Sequence, residues 1–563
     1  MESYVLKRPS TFALLFISAV TWTTPSFWDD AEDEPLAAAI VAEMTAEEML
    51  AQVFFLGYYG GEPSATILRW VEERQIGGVK IFTRNVDGLT SLAESVGQMQ
   101  ERALKAGFRI PLFVATDQEG GWVRHVKHET SETPGNLALG ATGSVRDAFL
   151  TGYYIGNELR TLGINMNFSP TTDVYSNPNA SVIGPRAFST DPVETAILSV
   201  AYFKGMEQAR VIATAKHYPG HGDASKDSHG HLPVITVTFE QMWDRELVPY
   251  RFLIREGLPA IMGGHLAFPK ILGDLTAASV SYFFQTTVLR DRLGFQGVMI
   301  TDDMEMAGVL KGNGSTLIAC EKALSAGNNM VLISHTPALQ EQTWLHLREL
   351  ILRDAAFKQR IEESVRRILN LKLRYFKGKN AFPLIPVVED IDESIPTEDA
   401  EQFFFETACR SVTLIKSQDI PYRPQPKERI IAVGQFEEFL EEAQLRYPQA
   451  DTLLFGYNPF YSARTQDRRE IPQIAGKYDT VIFCVANFNS LDILQTLRAR
   501  SKRVIVISAL SPVYLKEADW VKTAIAVYGM GRASFRAGIA ALHGDFEPEG
   551  KLPIDFLDAA EQD

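Results

Sequence analysis

The sequence predicts an α/β protein, a (β/α)8 barrel of the TIM type followed by a smaller open α/β sandwich domain. Three observations predict it. Eight short, apolar, β-prone runs alternate with helical patterns over the first part of the chain, the count that a closed barrel needs. Polar, chemically competent residues follow these runs on one side only: Asp117 after the third, Lys216 and His217 after the fifth, His265 after the sixth and Asp302 after the seventh. Parallel strands in a barrel aim their C-terminal ends at one mouth, so residues ~185 apart in sequence can meet there. Six further apolar runs follow an acidic, Pro-containing stretch and read as an open sheet.

The N-terminus carries Lys7 and Arg8, an apolar run from Phe12 to Val20, and a polar acidic stretch from Asp29. A positive region before about nine apolar residues fits a secretory signal better than a membrane span, which needs ~20. Residues 1–34 are therefore expected to be signal-like and the protein exported, periplasmic or extracellular. The small-residue cleavage pattern is poor, which keeps an uncleaved anchor or a cytoplasmic protein as alternatives. The first helix is expected at Thr45, where Thr45-Ala46-Glu47-Glu48 has the form of a capping box. Barrel strands are expected at 52–56, 78–82, 112–116, 165–168, 211–215, 260–263, 298–301 and 330–334. A helix around 359–373, with Ile361, Val365, Ile368 and Leu369 on one face, would close a barrel spanning 35–376. A linker over 377–400 would lead to a domain over 401–563, with strands at 411–415, 429–433, 452–455, 480–485, 503–507 and 523–527.

With 55 Lys and Arg against 70 Asp and Glu, the formal net charge is −15. That balance, with no basic stripe, argues against nucleic acid or an anionic membrane surface as a main partner. No motif points to a dedicated protein partner or sets an oligomeric state. Three cysteines, Cys320, Cys409 and Cys484, lie far apart without a C-x-x-C, so neither a disulfide framework nor a metal knuckle is expected. The Gly-rich stretch at 529–535 is not placed as a dinucleotide fingerprint, and no cofactor is expected.

The densest chemistry lies in Lys216-His217-Tyr218-Pro219-Gly220-His221-Gly222-Asp223, followed by Asp227-Ser228-His229-Gly230-His231. Its glycines and proline break the preceding strand, so Lys216 and His217 are expected on a loop. Two chemistries are open to it. Asp227 can orient His229 and favour its protonated form, giving an acid/base pair that works near neutral pH. Alternatively, His217, His221, His229 and His231 can hold a metal, although their spacings match no common zinc pattern and Lys216 is a poor neighbour for a dication. Asp302, in Thr301-Asp302-Asp303-Met304-Glu305, is either a helix cap or a functional carboxylate at the mouth.

The run KHYPGHGDASKDSH resembles the loop of the family 3 glycoside hydrolases, in their β-N-acetylglucosaminidase branch, and supporting matches extend from about Met44 to Ile554. The resemblance implies that Asp227 and His229 are the general acid/base pair, that Lys216 and His217 bind sugar hydroxyls, and that Asp302 is the nucleophile. Asp303 is then left as a cap and Glu305 as a helical neighbour. Two further stretches resemble the family: Asp117-Gln118-Glu119-Gly120-Gly121-Trp122-Val123-Arg124-His125, whose Asp117 would accept from two sugar hydroxyls, and Ile183-Gly184-Pro185-Arg186-Ala187-Phe188-Ser189, whose Arg186 would reach the sugar. Arg124 and His265 join the expected substrate contacts. The chain departs from the family pattern at one point, since His125 stands where the arginine belongs and Arg124 lies one residue early.

A glycosidic bond breaks through an oxocarbenium-like state that needs a proton at the leaving oxygen and negative charge beside the anomeric carbon. The expectation is thus a carbohydrate-cleaving enzyme, with a 2-acetamido sugar implied by the resemblance. Peptidoglycan fragments and chitin-like oligosaccharides are equally compatible. Because the conjugate base of a histidine acid is neutral, an anionic acceptor would not be repelled, and phosphorolysis stays open as an alternative, as does a histidine-ligated metal hydrolase.

Overall fold

In the computed structural model, which describes residues 24–127, 129–225, 230–457 and 464–555, the eight apolar runs form one closed parallel barrel. Its strands are β1 (Phe54–Gly57), β2 (Gly78–Lys80), β3 (Phe113–Thr116), β4 (Met166–Asn167), β5 (Ile212–Tyr218), β6 (Ala260–Gly263), β7 (Val298–Asp303) and β8 (Met330–Ile333). Sequence neighbours are spatial neighbours all round, and β1 closes the ring on β8 through Phe54–Leu56 against Val331–Ile333. Strands covered on both faces need apolar side chains throughout, which is why the runs were legible without alternation.

One difference concerns β5, which does not stop at Ala215. It runs through Lys216 and His217 to Tyr218, which pairs with Gly263 after a local irregularity. Charged side chains can end a buried strand here because acidic partners meet them, as described below.

Packed structure also lies ahead of the first helix expected. Phe27 is fully buried and donates its N–H to Phe108 O, the Trp28 indole donates to Arg109 O, and a helix spans Asp33–Glu43 with Leu36, Ile40 and Val41 buried. The folded barrel thus reaches into the stretch 1–34, while the apolar run Phe12–Val20 lies outside the described residues. Thr45 does cap the next helix, Ala46–Gln52: its hydroxyl accepts from Glu48 N, and Glu48 accepts from Thr45 N at 2.8 Å. The closing helix, Ala355–Phe376, is capped by Asp354 and buries Ile361, Val365, Ile368 and Leu369. Beyond it the segment at 377–400 lies on the barrel, with Ile391 and Ile395 joining its core, and a helix from Glu398 to Ser411 begins within it. No helix among the described residues is long and apolar enough to cross a membrane.

The second domain is an open sheet of β9 (Thr413–Ser417), β10 (Ile430–Gly434), β11 (Asp451–Leu454), β12 (Thr480–Val485), β13 (Arg503–Ala509) and β14 (Thr523–Tyr528). The strand order is β9-β14-β13-β12-β10-β11; β9 is antiparallel to β14 and the rest are parallel. One apolar cluster covers each face, and a third joins the two domains, bringing Leu137, Tyr175, Ile183 and Ala187 of the barrel loops against Ala526, Tyr528 and Ile554. Beside it Arg410 makes a two-pronged ion pair with Asp147 at 3.0 and 3.1 Å.

Candidate active site

The mouth of the barrel holds a buried chain of alternating charges. Asp117, immediately after β3, accepts from Lys80 of β2 at 2.7 Å and from Lys216 of β5 at 2.5 Å. Lys216 also meets Glu119 at 2.5 Å, and Glu119 is gripped by both prongs of Arg186 at 2.9 and 2.7 Å. Burial opposes charge on Asp117, Glu119, Lys216 and Arg186, but the partners win. Lys216 and Lys80 hold Asp117 well below the usual carboxylate range, Arg186 and Lys216 hold Glu119 down to about 2, and Asp117 and Glu119 raise Lys216. Removing one member of such an array strands its neighbour's charge, a loss of ~3–5 kcal/mol. The groups are therefore fixed before any ligand arrives.

Arg186 extends the array to a second cluster. Its NH2 donates to His217 Nε2 at 3.3 Å, which leaves the Nδ1 proton to face Asp173 Oδ2 at 2.7 Å. Asp173 is 1 % exposed and also accepts the backbone N–H groups of His217 and His221. These bonds keep its carboxyl below the ordinary range despite its burial. Burial, with the His217 ring alongside, pushes His221 down to about 4, so that it is neutral at physiological pH.

Across the mouth, β7 ends in two carboxylates that face different ways. Asp302 is half-buried and accepts from Asp303 N at 2.8 Å. Burial would raise its pKa, yet His217, His265, Lys80 and that N–H bring it down to about 2. Asp303 accepts from Glu305 N at 3.0 Å and meets His335 Nε2 at 3.2 Å, so it caps the turn before the short helix Ala307–Leu310. Glu305 lies ahead of that helix and accepts the N–H groups of His335 and Thr336. His265 is fully buried behind the pair, with Nε2 donating to Asp303 O at 3.0 Å and Nδ1 bonded to Ser279 Oγ at 2.7 Å. It supports β7 from behind, unlike the substrate contact expected of it.

This arrangement offers fixed donors and acceptors to a neutral, hydroxyl-rich ligand, beside one carboxylate held ionised near neutral pH. The glycosyl hydrolase family 3 N-terminal domain model matches residues 41–371. The chain belongs to glycosyl hydrolase family 3. This family 3 glycoside hydrolase is 35% identical over 304 residues to beta-hexosaminidase A of Pseudoalteromonas piscicida, a match covering 48% of this chain and 51% of that one. The chain thus spans about half that relative's length. It is 35% identical over 272 residues to the beta-hexosaminidase of Nitrosospira multiformis, covering 47% and 75%. Among solved structures, the family 3 beta-N-acetylglucosaminidase of Paenibacillus sp. FPU-7 superposes with a TM-score of 0.82 at 27% identity, covering 91% of this chain and 99% of that one.

Within this family 3 hydrolase, Asp117, Lys216, His217, Arg186 and Asp302 are brought to one mouth from four separate segments. Asp227 and His229 lie outside the described residues. The flanks of their loop are anchored, however: Arg245 pairs with Asp223 at 2.5 Å on one side, and Ile235 N donates to Ala267 O on the other. Arg124 departs from its expected role, because alternation along the hairpin after Asp117 turns it outward to Glu132, Thr130 O and Ser131 O. The next residue, His125, points inward: Nε2 lies 3.5 Å from Asp117, Nδ1 lies 3.1 Å from Thr83 Oγ1, and the ring packs on Phe82. The alternative of a metal held by histidines finds His217 with both ring nitrogens already engaged and Arg186 beside it.

Sequence reasoning passed over Lys80, Asp173 and His335, and it gave Glu119 no role. Each carries a signal. Lys80 is a charge within the apolar run Gly78–Phe82, Asp173 lies six residues beyond the fourth strand, and His335 lies two residues beyond the eighth.

Proposed function

We propose that the protein is a retaining, exo-acting β-N-acetylhexosaminidase that removes terminal β-linked N-acetylglucosamine from peptidoglycan fragments or chitin-like oligosaccharides in an exported setting. The observation that carries the reading is the half-buried Asp302, held ionised with a pKa of about 2 at the mouth shared by Asp117, Lys216 and Arg186. The relatives' names support the 2-acetamido sugar.

On this reading Asp117 accepts two hydroxyls of the terminal sugar, its geometry fixed by Lys80 and Lys216. Asp302 attacks the anomeric carbon as the leaving oxygen takes a proton from His229, whose charged form Asp227 stabilises. A covalent glycosyl-enzyme results. His229, now neutral, draws a proton from water, the water oxygen displaces Asp302, and the sugar leaves with its original anomeric configuration. His217 and His221 do not carry this proton: Asp173 and Arg186 occupy both nitrogens of the first, and the second stays neutral.

The test is turnover of an aryl N-acetyl-β-glucosaminide, with the aryl β-glucoside as the comparison substrate, in wild type and Asp302→Ala. Wild type is expected to prefer the acetamido sugar and to release the β-anomer first, as read by proton NMR, and Asp302→Ala to lose roughly 10⁴-fold in kcat. His229→Ala should lose about 10²–10⁴-fold on a substrate with a poor leaving group and less on the activated one. An α-anomer as first product, or an Asp302→Ala enzyme of near-normal rate, overturns the reading. Faster turnover in phosphate than in a non-nucleophilic buffer would replace hydrolysis by phosphorolysis.

A further inference from the structure

The Arg186 segment is held from outside by the second domain. From Asp173 to Thr190 the chain loops over the barrel mouth, with Arg186 closing a single tight turn at Gly184–Arg186. Its inner side carries the contacts of the site: Asp173 to His217, and Arg186 to Glu119 and His217. Its outer side is covered where apolar residues flank the turn. Ile183 and Ala187, which flank the turn, are 1 % and 0 % exposed and share one apolar cluster with Tyr528 of β14 and Ile554.

Ile554 belongs to a stretch that crosses from the second domain onto the barrel. Gly550 N donates to Val412 O at 3.1 Å, still within the second domain's end of the path. Lys551 N then donates to Ala141 O at 2.9 Å, and Pro553 O accepts from Thr190 N and Ser189 Oγ, each at 3.0 Å. Higher on the same interface, Tyr175 OH and Ser511 Oγ lie 3.3 Å apart, two residues beyond Asp173. The only barrel side chain bonded to the Arg186 carbonyl among the described residues is Asn136, at 2.8 Å, on the helix whose Ala141 receives Lys551.

We propose that Lys551–Ile554 is a positioning strap, by which the second domain sets where Arg186 presents its guanidinium to Glu119, His217 and the sugar. Ile554 is the positioning residue, because its buried side chain belongs to the apolar cluster that includes Ile183 and Ala187 on either side of the turn. It touches no reacting atom. The inference rests on the sugar-binding reading given above, and it assigns the second domain a role in binding substrate without contacting it.

A double-mutant cycle tests the strap. Kinetics of the aryl N-acetyl-β-glucosaminide are measured for wild type, Ile554→Ala, Arg186→Ala and the double variant, with Ile554→Val as the conservative control. Ile554→Ala is expected to raise KM roughly tenfold while kcat changes about twofold at most. In the Arg186→Ala background the same substitution should add almost nothing, and Ile554→Val should stay within about twofold of wild type. Native-state amide exchange supplies a readout independent of turnover: Ile554→Ala should speed exchange at Arg186, Ala187 and Thr190 about tenfold or more, and leave β7 unchanged. Additive effects of Ile554→Ala and Arg186→Ala on KM, or unchanged exchange at those amides, overturn the strap. If wild type turns over neither substrate, the function reading fails, and the exchange experiment still decides the strap.

Discussion

At the scale of single residues, burial and charge pull against each other, and the outcome differs from site to site. Glu119 and Asp302 keep their charge because their partners outweigh burial, whereas at Glu158 burial outweighs Ser131 and the more distant Arg124. On the helix Val145–Thr161 it accepts Ser131 Oγ at 2.5 Å and Ser131 N at 3.2 Å, and burial pushes its pKa up to about 7. A carboxyl whose folded pKa exceeds its unfolded value stabilises fully below the unfolded value, near 4.5, and loses that contribution as pH rises through 7. Glu158→Gln, which cannot ionise, should therefore gain on the order of 2 kcal/mol more over wild type at pH 8 than at pH 5, read from urea midpoints. A gain equal at both pH values would mean that Glu158 is already charged when folded. At this scale the sequence revealed the residues that sit at strand ends and hid those that depend on distant partners. Asp117 and Asp302 were legible because they directly follow apolar runs in the sequence. Asp173 was not, because its importance comes from His217, 44 residues away.

At the scale of elements, local chemistry decides where helices start and tertiary packing decides where strands stop. The Thr45–Glu48 box was readable because both partners lie within four residues. The helix before it, Asp33–Glu43, escaped because its first residue follows Glu32, which gives no side-chain cap. The end of β5 escaped for the opposite reason: Pro219 and Gly220 signal a break, but Asp117 and Asp173 allow Lys216 and His217 to remain in the sheet up to Tyr218. The closing helix tests how far local capping matters in a large barrel. Asp354 accepts from Ala356 N and Phe357 N at 2.9 and 3.0 Å, so Asp354→Ala should cost ~1 kcal/mol, and Asp354→Asn or Asp354→Ser should recover most of it. Thermal unfolding of the three variants checks this. A loss near 3 kcal/mol would show that the Asp354 side chain does more than cap.

At the scale of the whole molecule, two domains of different architecture share one interface, and a single buried ion pair marks its edge. Asp147 is almost wholly buried beneath Arg410, whose own side chain is about one third exposed. Arg410→Ala would leave that carboxylate unpaired and should cost about 2–4 kcal/mol, lowering one common unfolding transition for both domains. Two separated transitions in wild type, with only the second moved by the substitution, would show that the domains unfold independently. The order of domains was legible from the alternation of apolar runs. How they meet was not, because the joining residues Ile183, Ala187 and Ile554 read in sequence as ordinary core positions, and only contact across the chain distinguishes them.

The bond from Ser189 to Pro553 joins residues 364 positions apart. A ribosome that has just added Arg186 must add a further length of nearly two thirds of the 563-residue sequence before Ile554 exists. The barrel can close during synthesis once β8 has emerged, since domains generally fold as units as they appear. The segment that carries Arg186 gains its outer packing later, so the nascent protein passes through a stage in which the barrel is closed and that segment is not yet covered by Ile554.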